Sequence, residues 1–288
     1  MNVLVITYAI NGMVMVAAPI CLTIYLTRKL KQGWQLFWIG GATFIFSQVL
    51  HIPFNALVTP VFNRFEFIST PVIIQNILVS LFLGASAGLF EELSRYGMYR
   101  WWTKDSRSWG KGLILGAGHG GVEAIILGLL VLYQYIQMLI VRGMDISTVV
   151  TADKIELAIT QIQAYWSVPW YLTLLGAVER LSTIPLHLAC SVLVLQAFTR
   201  KQIWGLVIAI VYHALVDSVA VYVARLGFSA LFIEGIIVAF GILSIGIIYF
   251  LYRPEPLQAI TATLVPFPLF VPKPIEENRN NLEETRFQ

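Results

Sequence analysis

The sequence predicts an all-α protein, a polytopic bundle of about seven membrane-spanning helices, and three observations carry that prediction. The 288 residues are 58% hydrophobic and only 12% charged, with a mean hydropathy of +0.76. Soluble domains carry roughly 25% charged residues. Apolar stretches of the length that crosses a bilayer, about 18 residues or more, follow one another along the chain. Tryptophans fall near the ends of these stretches, at Trp34, Trp38, Trp101, Trp102, Trp109, Trp166 and Trp170, where an interfacial aromatic belt would sit.

The spans read as Val3–Leu26, Trp34–Val58, Val72–Met98, Gly112–Val141, Val168–Phe198, Ile203–Ala224 and Phe228–Leu251. The first has no basic region before it and is longer than a signal-peptide core, so it reads as a retained helix. Basic residues alternate between connections. Arg28, Lys29 and Lys31, then Arg100, Lys104, Arg107 and Lys111, then Arg200 and Lys201 mark one side. The other side offers only Arg64, Arg142, Lys154 and Arg225. The positive-inside rule predicts the N-terminus outside and the C-terminus in the cytoplasm of a cell membrane, by composition a bacterial plasma membrane.

Between Arg142 and Trp166 lies the one long outer connection. Asp153 and Glu156 there match a capping box, and Ile155, Ile159 and Ile162 recur at helical spacing, which predicts a short amphipathic helix on the membrane surface. Residues 1–252 read as one membrane-embedded domain. Residues 253–288, rich in Pro, Asn and Glu, read as a disordered cytoplasmic tail. Cys21 and Cys190 sit in apolar runs and read as small packing residues, with no disulfide framework.

Function is sought among the polar residues inside the spans. An intramembrane charge costs roughly 2.5–3.5 kcal/mol on insertion scales and turns towards the bundle interior. Span three ends with Glu91, Glu92 and Arg95. Span four opens with His119 and Glu123, span five holds Glu179, Arg180 and His187, and span six holds His213 and Asp217. Counted at ~1.5 Å per residue, the acids and imidazoles share one depth, in the cytoplasmic half. His51, towards the other end of span two and without an acid at helical spacing, reads as a packing residue bonded to backbone freed by Pro53.

Residues four apart share a helix face, which pairs Glu91 with Arg95, His119 with Glu123, and His213 with Asp217. Glu123 and Asp217 would each fix the tautomer of the histidine one turn away. Glu179 and Arg180 are adjacent, point about 100° apart, and need not pair. Ser80, Gly84 and Gly88 stripe span three, and Gly112, Gly116 and Gly120 stripe span four. Small faces allow close approach, so spans three and four are expected to pack directly and bring Glu91 to His119.

The ordered set of Glu91-Glu92 with Arg95, His119, His187 and His213-xxx-Asp217 resembles the glutamic-type intramembrane proteases. That clan includes the CAAX prenyl endoproteases, the bacteriocin-processing proteins and the PrsW-type proteases. The Gly118-His-Gly-Gly-Val-Glu123 run most resembles its YhfC family. The resemblance covers Phe90 to Asp217 and implies hydrolysis of a peptide bond in or near the membrane. By position, Glu91 or Glu92 would activate water and His119 would assist. His213 with Asp217 would stabilise the oxyanion, His187 would be a further site residue, and Arg95, Glu123, Glu179 and Arg180 would support them.

Metal-free glutamate catalysis, without a cofactor, ranks ahead of zinc held by His119, His187 and His213 with a glutamate, because no His-Glu-x-x-His stretch is present. The implied partners are membrane lipids and a membrane protein or peptide substrate, with no nucleic acid. The rival of another class is a proton-coupled transporter, whose relay would spread polar groups across the whole bilayer.

Overall fold

The computed structural model describes residues 3–64 and 70–253, and the side chains of 61–64 lie outside that description. The tail assigned to 253–288 also falls, beyond its first residue, outside the described residues. The helices are α1 (Val3–Leu30), α2 (Gln35–Arg64), α3 (Val72–Gly97), α4 (Trp109–Val141), α5 (Ile155–Ser167), α6 (Leu175–Thr199), α7 (Trp204–Arg225) and α8 (Ala230–Phe250). All but α5 are long and apolar enough to cross a membrane, which gives seven spans. No strand occurs among the described residues.

Several helices run past the apolar stretches that announce them, because their polar ends satisfy helix termini. Arg28 and Lys29 occupy the last turn of α1, where cations complement the carbonyl end of the helix. Ser108 caps α4 by accepting from the Lys111 amide. α3 continues through a π-helical turn, Met98–Trp102. α6 is preceded by a 3-10 turn, Trp170–Leu174. α7 stops at Gly227, whose φ of 80° suits a residue without a side chain.

α6 is the central helix: 67% of its membrane window is buried, against 39% or less in the other spans. α3 packs on α7 and α2, and α4 packs on α1, α2 and α6. The expectation that spans three and four pack directly is therefore corrected. The glycine stripe of α3 faces α7, where a Cβ at Gly88 would lie 2.7 Å from the Ile210 carbonyl oxygen. The stripe of α4 faces α6, where a Cβ at Gly116 would lie 2.8 Å from Leu188 Cα and 2.9 Å from the His187 oxygen. Spacing finds a small face but does not say which neighbour it meets.

Those Gly116 neighbours are backbone atoms and cannot swing aside. Gly116→Val should force α4 and α6 apart and cost about 1–3 kcal/mol. A thermal-unfolding scan in detergent would show it, with Gly116→Ala falling between Val and wild type.

The surface helix α5 is present, with Ile155 and Ile162 half-buried and Ile159 exposed. The capping box is not. A 3-10 turn, Ala152–Lys154, leads straight into α5, and no side chain caps it. Aromatic contacts hold this connection instead. Tyr165 stacks on Tyr8 at 4.2 Å, and the Tyr8 hydroxyl donates to the Tyr165 carbonyl at 2.9 Å.

Candidate active site

Four helices bring their ionisable residues to one level. Glu91, His119, His187 and His213 each lie roughly 14–18 Å along the helix from the α3–α4 loop end of the bundle, at ~1.5 Å per residue. Glu91, Glu92, Arg95, His119, His187 and His213 are all buried. They form one connected cluster, which the need to satisfy buried polar groups explains.

Glu91 is its centre. Its Oε2 lies 3.0 Å from His119 Nε2, 3.9 Å from His187 Nδ1 and 3.9 Å from His213 Nε2. Its Oε1 accepts from the Gln48 amide at 3.1 Å. Arg95 pairs closely with Glu92, lies 3.7 Å from Glu91 Oε2, and donates through Nη2 to His187 Nδ1 at 2.7 Å.

Two imidazoles are oriented from behind by carboxylates. Glu92 Oε1 lies 2.7 Å from His213 Nδ1, and Glu123 Oε2 lies 2.8 Å from His187 Nε2. The Glu92 carboxylate only accepts, so His213 Nδ1 carries a proton, and the Arg95 guanidinium only donates, so His187 Nδ1 meets it with a lone pair. In the neutral ring that leaves a lone pair on His213 Nε2 as well; it and His187 Nδ1 each lie 3.9 Å from Glu91 Oε2, behind His119 Nε2 at 3.0 Å. His119 Nδ1, by contrast, is buried with no hydrogen-bond partner among the described residues.

The expected tautomer partner of His119 is corrected here. Glu123 binds His187 across the α4–α6 contact, and His119 binds Glu91. Helical spacing identifies partners only within a helix, and the interhelical contacts are shorter. Asp217 stays 3.6 Å from His213 Nε2, an ion-pair contact longer than a hydrogen bond. Arg180 pairs with both Glu123, at 2.7 Å, and its neighbour Glu179. That second pairing goes beyond what adjacency predicts, because a long guanidinium can reach back to the next side chain.

Two residues escaped the sequence reading. Gln48 holds Glu91, and its only signal is an amide inside span two. Cys190, buried one turn after His187, places its thiol with Glu92 and His213 in a group whose ligand atoms lie within 4.8 Å of one another. Read as a packing residue, it sits in fact against the site. His51 bonds Ser86 Oγ at 3.0 Å and Asn55 at 2.8 Å, not backbone near Pro53.

The cluster lies between two cavities. One, of about 650 Å³, runs between α2 and α4 and is mostly apolar, with Glu91 and Glu123 in its wall. The other, of about 100 Å³, is polar and is lined by Glu91, Glu123, Arg180, His187, His213 and Asp217 among others.

Glu91, His119 and His187 offer one carboxylate oxygen and two imidazole nitrogens, all within 4.8 Å of one another. Two imidazoles and a carboxylate form a hydrolytic zinc donor set. The residues fit such an ion with one adjustment, since Arg95 must release His187 Nδ1. The carboxylate behind that histidine is the usual support of a zinc-bound imidazole. The converging trio takes a glutamate and two of the three histidines of the zinc alternative; His213, 3.9 Å from Glu91, falls in a second group with Glu92 and Cys190.

Fold and site together define a multi-pass membrane protein with a buried carboxylate–imidazole centre, the class to which intramembrane proteases belong. The chain belongs to the YhfC family, described as YhfC intramembrane metalloprotease, whose model matches residues 14–238. It is 31% identical over 225 residues to a protein of Bacillus subtilis (strain 168) named "Uncharacterized membrane protein YhfC", covering 77% of this chain and 85% of that one. No solved structure matches.

Proposed function

We propose that this protein is an intramembrane endopeptidase that uses a metal ion held by Glu91, His119 and His187. The observation that supports the metal is the convergence of a Glu91 carboxylate oxygen with one ring nitrogen each of His119 and His187, all within 4.8 Å of one another. Arg95 Nη2, which donates to His187 Nδ1 at 2.7 Å, would give up that nitrogen to the ion. Charge agrees, because Glu91 and Glu92 outnumber the single Arg95 in the most buried part of the cluster. A zinc ion there would polarise the scissile carbonyl and acidify water.

The remaining steps fall to the chain's own groups. Water adds its oxygen to the carbonyl carbon, the C–N bond breaks, and the proton removed from water ends on the leaving amine. His213 and Asp217, at the polar cavity, are placed to hold that proton in transit. Glu92 holds His213 Nδ1 and so keeps His213 Nε2 aimed at Glu91. Arg180 steadies Glu123, which steadies His187. A transport role is not favoured, because the polar groups gather at one level and the family is described as a protease.

A second, metal-free reading keeps Glu91 as the base that takes the water's proton, with His213 and Asp217 on the oxyanion. The direct His119–Glu91 contact and the Arg95 bond to His187 favour it, since they satisfy these groups without an ion. One experiment separates the two. The purified chain in bicelles is assayed on single-span peptides and its metal content is measured. The metal reading expects stoichiometric zinc, activity lost to a chelator, and activity restored by zinc. Undiminished turnover in metal-free protein would leave the glutamate reading.

A further inference from the structure

We infer that the groove between α2 and α4 receives an unwound stretch of a membrane-embedded polypeptide, and that Gln48 and His51 hold its freed backbone. This rests on the peptidase reading for its purpose but not for its test. The groove opens outward from the bundle: at its mouth Val49 and Ile52 are each 63% exposed. Its inner wall carries Glu91, so an occupant would lie against the centre of the cluster.

The wall formed by α2 is not uniformly apolar. Gln48 and His51, three residues apart on one helix face, line the groove, and Asn55 one turn further on bonds His51 from outside it. Gln48 donates its amide to Glu91 and to Ser47 Oγ, leaving its carbonyl oxygen without a partner among the described residues. His51 uses Nε2 for both its contacts, leaving Nδ1. Asn55 Oδ1 is buried and unpartnered among the described residues. A short row of unused polar atoms, on Gln48 and His51, therefore leads away from Glu91 along the groove.

A lipid chain has no use for such a row, and an anionic headgroup would be repelled by Glu91 and Glu123. A polypeptide needs it. A peptide bond inside a helix is shielded by the helix, so the helix must open before attack. Opened backbone in hydrocarbon is costly unless its N–H and C=O groups find partners. The expected occupant is thus a span that unwinds readily, with glycine or proline near its middle.

The test uses the full chain with Glu91→Gln, so that no turnover is needed, in phosphatidylcholine nanodiscs. A photo-crosslinking amino acid replaces Ile126 in the groove wall or, as control, Leu81 on α3. The probes are a leucine–alanine single-span peptide with a central Gly-Pro and its all-leucine counterpart. Adducts at position 126 should favour the Gly-Pro peptide, and Gln48→Leu with His51→Leu should erase a preference on the order of tenfold, the worth of two hydrogen bonds. Ile126→Trp, which fills the groove without touching the polar row, should block a Gly-Pro peptide carrying its own photo-label from adding to α2. Equal labelling of the two peptides, or adducts to lipid alone, would overturn the inference. Selective capture in the groove with no cleavage by the wild-type chain would keep it and remove the peptidase reading.

Discussion

Replacing Glu91 with glutamine is expected to abolish cleavage of a fluorogenic single-span peptide, a loss on the order of 10²–10⁴-fold or more. Glutamine keeps the size and planar shape of the side chain, so Gln48 and the surrounding imidazoles still meet an amide there. The charge is what disappears. Without it the site loses its proton acceptor in the metal-free reading and one of three ligands in the metal reading. The fold should tolerate the change. Glu92 remains to balance Arg95, so no buried cation is stranded. Glu92→Gln should behave in the opposite way. It leaves Arg95 with the 3.7 Å contact to Glu91 as its one carboxylate partner, beside the bond to His187, and so acts first on stability. Glu91→Gln protein that unfolds like wild type yet turns over peptide at the wild-type rate would exclude Glu91 from the reaction under both readings.

Much of this arrangement was legible in the sequence, for one physical reason. Acids and imidazoles inside apolar spans are too costly to face lipid, so Glu91, Glu92, His119, His187 and His213 had to turn inward. Counting residues then placed them at one depth. Their pairing was legible in one case, the approach of Glu91 to His119, found at 3.0 Å although α3 and α4 do not pack along their small faces. The i,i+4 rule couples His119 to Glu123 and His213 to Asp217. The structure instead gives His119 to Glu91, His187 to Glu123 and His213 to Glu92. Interhelical partners win because α6 lies in the middle of the bundle and delivers His187 between α3 and α4. Gln48 and Cys190 stayed hidden because an uncharged amide or thiol does not stand out in an apolar run as a carboxylate or imidazole does, although a buried amide also calls for a partner. The small-residue stripes were visible, but not the helices that fill them.

Removing the charge of Arg95 should destabilise the protein more than any other single change at the site. Arg95 is 1% exposed and touches Glu92, Glu91 and His187 at once. Arg95→Met preserves bulk and apolar contact but leaves two carboxylates without their counter-ion. Breaking a buried pair from one side costs about 3–5 kcal/mol, because the stranded charge has no water to fall back on. Arg95→Lys should retain part of the stability: the charge survives, but one ammonium cannot serve Glu92 and His187 in the forked geometry of a guanidinium. The double variant Arg95→Met with Glu92→Gln should be more stable than Arg95→Met alone. It removes the stranded charge while an amide oxygen still faces His213 Nδ1. Thermal unfolding in one detergent ranks the three. If Arg95→Met unfolds with wild type, Glu92 is held neutral by a proton, and the ion pair is not what fixes α3 against α6 and α7.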